Sequence, residues 1–515
     1  MLSRVISAAL QGIEGVPVIV ETDFRPGLPS FSIVGLPDAG VRESRERVIA
    51  AIRNSNFSFP SHRITVNLAP GDIKKEGPSF DFAIAVGVLS AAGIFSVDRL
   101  SKFAFLGELG LDGELRPIHG VLPCAMGMRK QGIKGLFLPR KNAREAAIVD
   151  GLDIYPMDFL ADVEAFLKAE EAPRPFHMDR DEVFQKSGSY PVDFSDVKGQ
   201  PFAKRALEIA AAGGHNVLMI GPPGSGKTLL ARRLPTILPD MRFDEALETT
   251  KIHSVAGRLK DGEALIATRP FRSPHHQVSD VALIGGGSNP RPGEVSLAHR
   301  GVLFLDELPE FGRSVIEGLR QPLEDRFVTV VRIAGSVKYP SDFLLVAAAN
   351  PCPCGYLGSH VRSCVCPIGA IQRYRAKISG PLLDRIDLHV EVPSLKIEEM
   401  MEPQRDMESS ASIRARVVEA RKIQNERFHA HGILENGQMN VRLIKMFCPL
   451  EKEGKELVKQ AIRRLGLSAR AYDRILRMGR TIADLEGAAD IQPRHLGEAI
   501  GYRVLDRPPT SLEAV

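Results

Sequence analysis

The sequence lacks a long hydrophobic run. Its longest apolar stretch, Phe82 to Val97, holds 16 residues and two serines, short of the ~20 that a spanning helix needs. It reads as a buried helix. Met1 to Val20 lacks a basic start, a clean apolar block and a small-residue cleavage site. No export signal or membrane partner is therefore expected, and a cytoplasmic location is. An excess of one charge is also nearly lacking: 67 Lys and Arg against 63 Asp and Glu leave +4, which neither demands nor excludes a nucleic-acid partner. Cysteine is scarce, but four of the six fall between residues 352 and 366. Such clustering argues for metal rather than disulfides. What the chain does have is length: 515 residues and 44% hydrophobic content suggest roughly three domains, each with a full core.

The strongest signal is Val217-Leu-Met-Ile-Gly-Pro-Pro-Gly-Ser-Gly-Lys-Thr228, an apolar strand pattern running into Gly221-x-x-x-x-Gly226-Lys227-Thr228. Glycines let the backbone N–H groups of Gly221, Pro222, Pro223, Gly224, Ser225 and Gly226, prolines excepted, close around a β-phosphate. Lys227 reaches the β/γ oxygens, and the Thr228 hydroxyl suits Mg²⁺. The helical composition after it supplies an N-terminal dipole for the anion. ATP and Mg²⁺ are the expected cofactors.

Gly301-Val-Leu-Phe-Leu-Asp306-Glu307 is a short buried strand ending in two carboxylates. Asp306 is placed to hold Mg²⁺ and Glu307 to polarise the attacking water. A two-strand ribbon is expected over Val328 to Ile333 and Val337 to Tyr339, with Arg332 and Lys338 as basic members facing DNA; a solvated hairpin face is the plain alternative. Next, Phe343 to Asn350 reads as another buried strand, with Asn350 placed to orient water or the γ-phosphate. Between these motifs, Ile284-Gly-Gly-Gly287 is either an ordinary loop or a pore-facing insertion. The adjacent His275 and His276 have diverging side chains, which favours structural or DNA-facing roles over metal ligation.

Cys352-Pro-Cys354 and Cys364-Val-Cys366 make a four-thiolate set suited to structural zinc. An iron–sulfur site and reduced, metal-free cysteines are the alternatives. A closed four-thiolate site has no open position, so no catalysis is assigned to it. Further on, Arg385 lies between Asp384 and Asp387, and Arg470, Arg474 and Arg477 fall on one face of a helix capped by Ser468. Only Asp473 borders that stripe, which leaves charge for phosphate.

The first part of the chain alternates short strands and helices, an α+β pattern. Val66-Asn-Leu-Ala-Pro70, Lys74-Lys-Glu-Gly-Pro-Ser79, Gly107-Glu-Leu-Gly-Leu-Asp-Gly113 and Arg116-Pro-Ile118 together resemble the proteolytic domain of Lon-type proteases. In that family a Gly-Pro-Ser serine is the nucleophile and a later lysine activates it. Ser79 matches the serine. Leu122 stands where the lysine is expected, and Lys130 comes eight residues later. A serine without a base is not activated at neutral pH, so this domain is expected to be catalytically inactive, a scaffold or DNA-facing element.

The P-loop, Asp306-Glu307, Asn350, Arg385 and Arg470 resemble the corresponding elements of AAA+ ATPases: Asn350 as sensor 1, Arg385 as an arginine finger reaching a neighbour's γ-phosphate, Arg470 as sensor 2. Gly213 to Gly221, Phe271-Arg-Ser-Pro-His-His276, Arg291 to Ala298 and the Cys-Pro-Cys cluster are similar to the magnesium-chelatase-like ComM/YifB family across essentially the whole chain. This resemblance implies a multidomain α/β protein. A Lon-protease-like α+β domain would span 1–168 and a linker 169–193. An AAA+ core with the cluster at 352–366 would span 194–395, and a C-terminal helical lid 396–515. It also implies a homo-hexamer that hydrolyses ATP to drive DNA branch migration during natural transformation, with single-stranded or branched DNA and a recombinase as partners. A magnesium-chelatase motor subunit is the second reading, and an ATP-dependent Lon-like protease the third.

Overall fold

Two sheets emerge from these patterns in the computed structural model, which describes residues 2–96, 100–169, 173–186, 190–287, 289–332, 335–359, 362–394 and 407–503. The chain divides into two compact units. The first comprises Met1–Gly188, Arg242–Ala267 and Val331–Tyr339; the second comprises Ser189–Met241, Thr268–Val330 and Pro340–Val515.

In the first unit a seven-stranded sheet runs in the order Ser30–Val34, Arg63–Ala69, Glu14–Arg25, Leu2–Gln11, Phe103–Phe105, Gly135–Pro139, Asp153–Met157. Leu2–Gln11 and Glu14–Arg25 form an antiparallel hairpin. Arg63–Ala69 buries Ile64, Val66 and Leu68 on one face, the period-two alternation of a half-covered strand. The apolar stretch from Phe82 becomes helix Asp81–Ala91, buried along its whole length. It packs on the hairpin strands, where no lipid is needed to cover it. Asp81 is itself buried and pairs with Arg47 at 2.6 Å, while Ser44 donates to its other oxygen. Burial pushes the Asp81 carboxyl up despite the Arg47 and Ser44 bonds.

Helix Phe243–Val255 is also part of this first unit and packs on helix Val121–Lys130. Lys251 reaches Glu14 at 2.6 Å, and Ser254 donates to Glu145 at 2.5 Å. Fixed polar bonds between segments so far apart in sequence are tertiary facts that no local period announces.

The second unit holds a five-stranded sheet ordered Phe271–Arg272, Val302–Leu305, Leu344–Ala349, Val217–Ile220, Leu388–Glu391. All neighbours are parallel. The three central strands are nearly continuous apolar runs, as expected of strands covered on both faces. Because they are parallel, Ile220, Leu305 and Ala349 all end at one edge of the sheet, where such folds place their ligands. Helices Pro201–Gly213 and Lys227–Ile237 cover the sheet, and Ser410–Phe428 packs on both. Lys452–Leu465, Ala469–Leu485 and Pro493–Gly501 complete the helical C-terminal part. The Ser468 hydroxyl accepts from the Ala471 amide at 3.2 Å and starts the second of these helices.

Candidate nucleotide site and cysteine cluster

Strand Val217–Ile220 delivers the P-loop to the sheet edge, and helix Lys227–Ile237 leaves it. Gly224 and Gly226 have φ of 77° and 91°, a left-handed conformation in which a side chain would be strained. The Gly221 amide donates to the Ala349 carbonyl at 3.2 Å, so Asn350 follows directly beside the loop. Lys227 is buried, with Nζ donating to the Gly221 and Pro222 carbonyls at 2.7 and 2.9 Å. Burial lowers its pKa, opposed by the charges of Asp306 and Glu307. An ammonium held at the loop's own carbonyls needs little movement to meet phosphate oxygens.

Thr228 Oγ1 donates to Asp306 Oδ2 at 2.9 Å. This single bond joins the P-loop to the strand-end carboxylate and sets two oxygens side by side, a hard donor pair that fits Mg²⁺. Glu307 adopts φ 54°, unusual for a residue with a side chain, and its amide donates to Asp306 Oδ1 at 3.0 Å. Its carboxylate is half exposed and lies 3.5 Å from His276 Nδ1. The His276 ring in turn sits beside that of His275, centroids 4.1 Å apart and planes tilted by 33°. Sequence reasoning missed this partner of Glu307. The available signal was the edge strand Phe271–Arg272, which pairs in parallel with Val302–Leu305 and carries the following residues to the same sheet edge.

Asn350 follows strand Leu344–Ala349, and its backbone bonds the buried Tyr374 hydroxyl, whose pKa burial pushes up to about 12. Arg385 donates to the Pro381 carbonyl at 2.6 Å and to Glu324, rather than pairing with the adjacent Asp384 or Asp387. Arg470 is exposed and meets Asp384 at 3.2 Å. Arg474 is largely buried against Asp387 at 3.4 Å, and Arg477 donates to the Gly437 carbonyl at 3.2 Å. Partners from outside the helix thus take up charge that the helix alone leaves free. Phe327–Arg332 and Gly335–Pro340 pair as a two-stranded ribbon; Lys338 is exposed, while residues 333 and 334 and the side chain of Arg332 lie outside what the structure describes. Gly285–Gly286 pairs with Arg291–Pro292 in a second small ribbon.

In the first unit, Ser79 lies in a short turn, Pro78–Phe80, and its carbonyl accepts from the Gly107 amide at 3.0 Å. Leu122 is buried, with its amide bonded to Glu145 at 2.9 Å. Lys130 sits at its helix end, 3.8 Å from Glu14. Lys75, not weighed from sequence, is fully buried with its amine on the Pro70 carbonyl.

The four clustered cysteines converge. Cys352 Sγ lies 3.4 Å from Cys354 Sγ and 3.6 Å from Cys364 Sγ, and all four sulfurs fall within 4.8 Å of one another. Tetrahedral zinc with ~2.3 Å Zn–S bonds sets its sulfurs roughly 3.8 Å apart. The donor set therefore fits one tetrahedral ion, whereas an iron–sulfur cluster spreads its thiolates over several irons. Backbone N–H groups of Tyr356 and Val365 pull the Cys354 thiol down to about 6, while burial pushes Cys124 and Cys448 elsewhere up to about 12. Within the cluster Cys364 goes the other way, pushed up to about 12 despite the Cys366 backbone N–H, so place rather than acidity sets the cluster apart.

Comparison with known proteins covers most of the chain in three segments. The family model described as magnesium chelatase, subunit ChlI, matches residues 193–400; that of the ChlI C-terminal part matches 407–503, and a third, subunit ChlI of Mg-chelatase, matches 20–142. Competence protein ComM of Haemophilus influenzae is 43% identical over 98% of each chain. The chain belongs to the magnesium-chelatase-like ComM/YifB family. YifB of Escherichia coli is 41% identical over 98% of each chain. Lon protease 2 of Bacillus subtilis is 29% identical over 140 residues, which is 26% of this chain and 25% of the protease. A ComM/YifB member with this P-loop carries an AAA+ ATPase core, and its first unit is partly Lon-like. Among the described residues no helix is long and apolar enough to cross a membrane.

Proposed function

We propose that this chain is the subunit of a hexameric, ATP-driven motor that moves on DNA, and that its work is branch migration or unwinding while transforming DNA is integrated by homologous recombination. The observation that carries this reading is the joined P-loop and strand-end carboxylate, Thr228 on Asp306 at 2.9 Å, in a chain alike end to end to a competence protein. Mg²⁺ held by Thr228 and Asp306 would neutralise developing charge on the phosphates. Lys227 grips the β/γ oxygens, Glu307 accepts a proton from the attacking water, and Asn350 orients that water. Arg385 of one copy reaches the nucleotide of the next, and Arg470 covers it from the lid. Zinc at Cys352, Cys354, Cys364 and Cys366 is structural. Arg332 and Lys338 contact the DNA backbone, and a recombinase hands over the joint.

The test is ATP-dependent unwinding of a synthetic three- or four-strand junction by the wild type, Lys227→Ala and Glu307→Gln. Activity confined to the wild type, falling steeply with salt, is expected; equal activity in all three sinks the reading. A magnesium-chelatase motor subunit is the second reading, favoured by the three family models. It requires ATPase activity that responds to a tetrapyrrole-binding protein and not to DNA.

A further inference from the structure

We infer that the cysteine cluster controls nucleotide binding: a thiophilic divalent cation held by its four thiolates fixes the turn at Gly355, and that turn braces Pro223 of the P-loop. This rests on the metal reading of the cluster and adds to it a coupling to the ATP site.

The physical case starts from the turn. The Gly355 amide donates to the Cys352 carbonyl at 3.0 Å, so the turn is closed across two of the proposed ligands. Gly355 has φ 84°, and a Cβ there would lie 2.7 Å from Pro223 Cδ and 2.9 Å from Pro223 Cγ. No side chain fits between Gly355 and the Pro223 ring unless one of them shifts. Pro223 is the third residue of the P-loop, and its ring has a fixed φ, so a push on it passes to the backbone around Gly224. On its other side the cluster follows Asn350 directly, and Arg375 Nε donates to the Pro351 carbonyl at 3.3 Å. The loop is thus tied at Cys352, pressed on the P-loop at Gly355, and anchored to helix Ile368–Arg375.

What the loop has little of is an apolar core. Cys352 is fully buried, but Cys354, Cys364 and Cys366 are only partly so, and Val365 and Ile368 are 79% and 69% exposed. Small loops of this kind are held by their metal rather than by burial. Cys366 Sγ accepts the Cys354 amide at 3.4 Å, and Cys364 Sγ accepts the Cys366 amide at the same distance. The sulfurs therefore also organise the backbone, and removing the ion frees the turn that Pro223 leans on. A metal ligated 12 residues of chain apart so becomes part of the wall of the nucleotide site.

The experiment uses the full-length protein. Bound zinc is measured by elemental mass spectrometry, then removed with a thiol-specific mercurial and chelator, which are cleared before Mg²⁺ is restored. Binding of a fluorescent ATP analogue is titrated before removal, after it, and after zinc is returned. One zinc per chain is expected, with Kd rising by about tenfold or more on removal and recovering on return. Gly355→Ala, with all four cysteines intact, is expected to keep its zinc, bind the analogue more weakly, and respond less to zinc removal than the wild type does. If no metal binds, the metal reading fails and the coupling with it. If zinc binds but neither its removal nor Gly355→Ala changes the Kd, the metal reading stands and the coupling is overturned. Should zinc removal unfold the chain by circular dichroism, Gly355→Ala decides alone.

Discussion

His276 Nδ1 lies 3.5 Å from Glu307 Oε2, so the carboxylate we propose activates water faces an imidazole on the loop that follows edge strand Phe271–Arg272. The pair is partly exposed, at 30% and 51%, and such contacts contribute roughly 0.2–1 kcal/mol. His276→Ala should therefore raise ATP hydrolysis without DNA by about 1.4- to fivefold and reduce the stimulation by DNA. Steady-state rates with and without single-stranded DNA check this. A lowered rate in both conditions would instead make His276 a helper of Glu307.

Arg385 is bound within its own chain to Glu324 and to the Pro381 carbonyl, yet our functional reading has it act on a neighbour. Arg385→Ala and Lys227→Ala should each abolish hydrolysis, the first while retaining nucleotide binding. Mixed together they should regain part of it, since some interfaces then pair an intact P-loop with an intact arginine. Mixtures no more active than their parts would confine Arg385 to a structural ion pair.

Glu435 is mostly buried, with 18% of its side chain exposed, and meets Arg421 at 2.8 Å. Burial would raise its pKa, but the charges of Arg421 and Arg326 and the Arg421 bond bring it down to about 2, from an ordinary 4.5. A folded-state value below the unfolded one adds stability above about pH 4.5 that is lost as pH falls toward 2. Glu435→Gln should lower the thermal midpoint near neutral pH, since breaking a buried pair costs about 3–5 kcal/mol. The gap to wild type should close as pH falls through that window. A gap independent of pH would show that packing, not charge, is lost.

Ser79 has no activating lysine in the expected place, where Leu122 is buried with its amide on Glu145. Casein should survive incubation with the protein and ATP, and Ser79→Ala should leave both that result and the ATPase rate unchanged. Casein cleavage that Ser79→Ala removes would restore the protease reading and point to Lys75, the fully buried amine four residues away.

The nucleotide half of the site was legible because its parts are runs of consecutive residues. Gly221 to Thr228, Asp306-Glu307 and Asn350 each close a strand whose apolar pattern is visible, and parallel pairing brings those strand ends to one edge. The buried helix from Asp81 was legible through its apolar run, and the helix after Ser468 through period and cap. A serine also caps helix Ser410–Phe428, where the Ser409 hydroxyl accepts the Ser412 amide at 3.3 Å.

Residue order alone thus carries the chemistry: phosphate-binding glycines, a lysine, paired carboxylates and four clustered thiols, since each is a short-range pattern of residue types. Only the tertiary structure decided the partners. Glu307 with His276, Arg385 with Glu324, Arg474 with Asp387, Gly355 against Pro223, and helix Phe243–Val255 in the first unit all join segments far apart in the chain. Such pairings depend on how strands and helices pack around a shared core, and packing responds to shape and volume over the whole fold rather than to any local spacing.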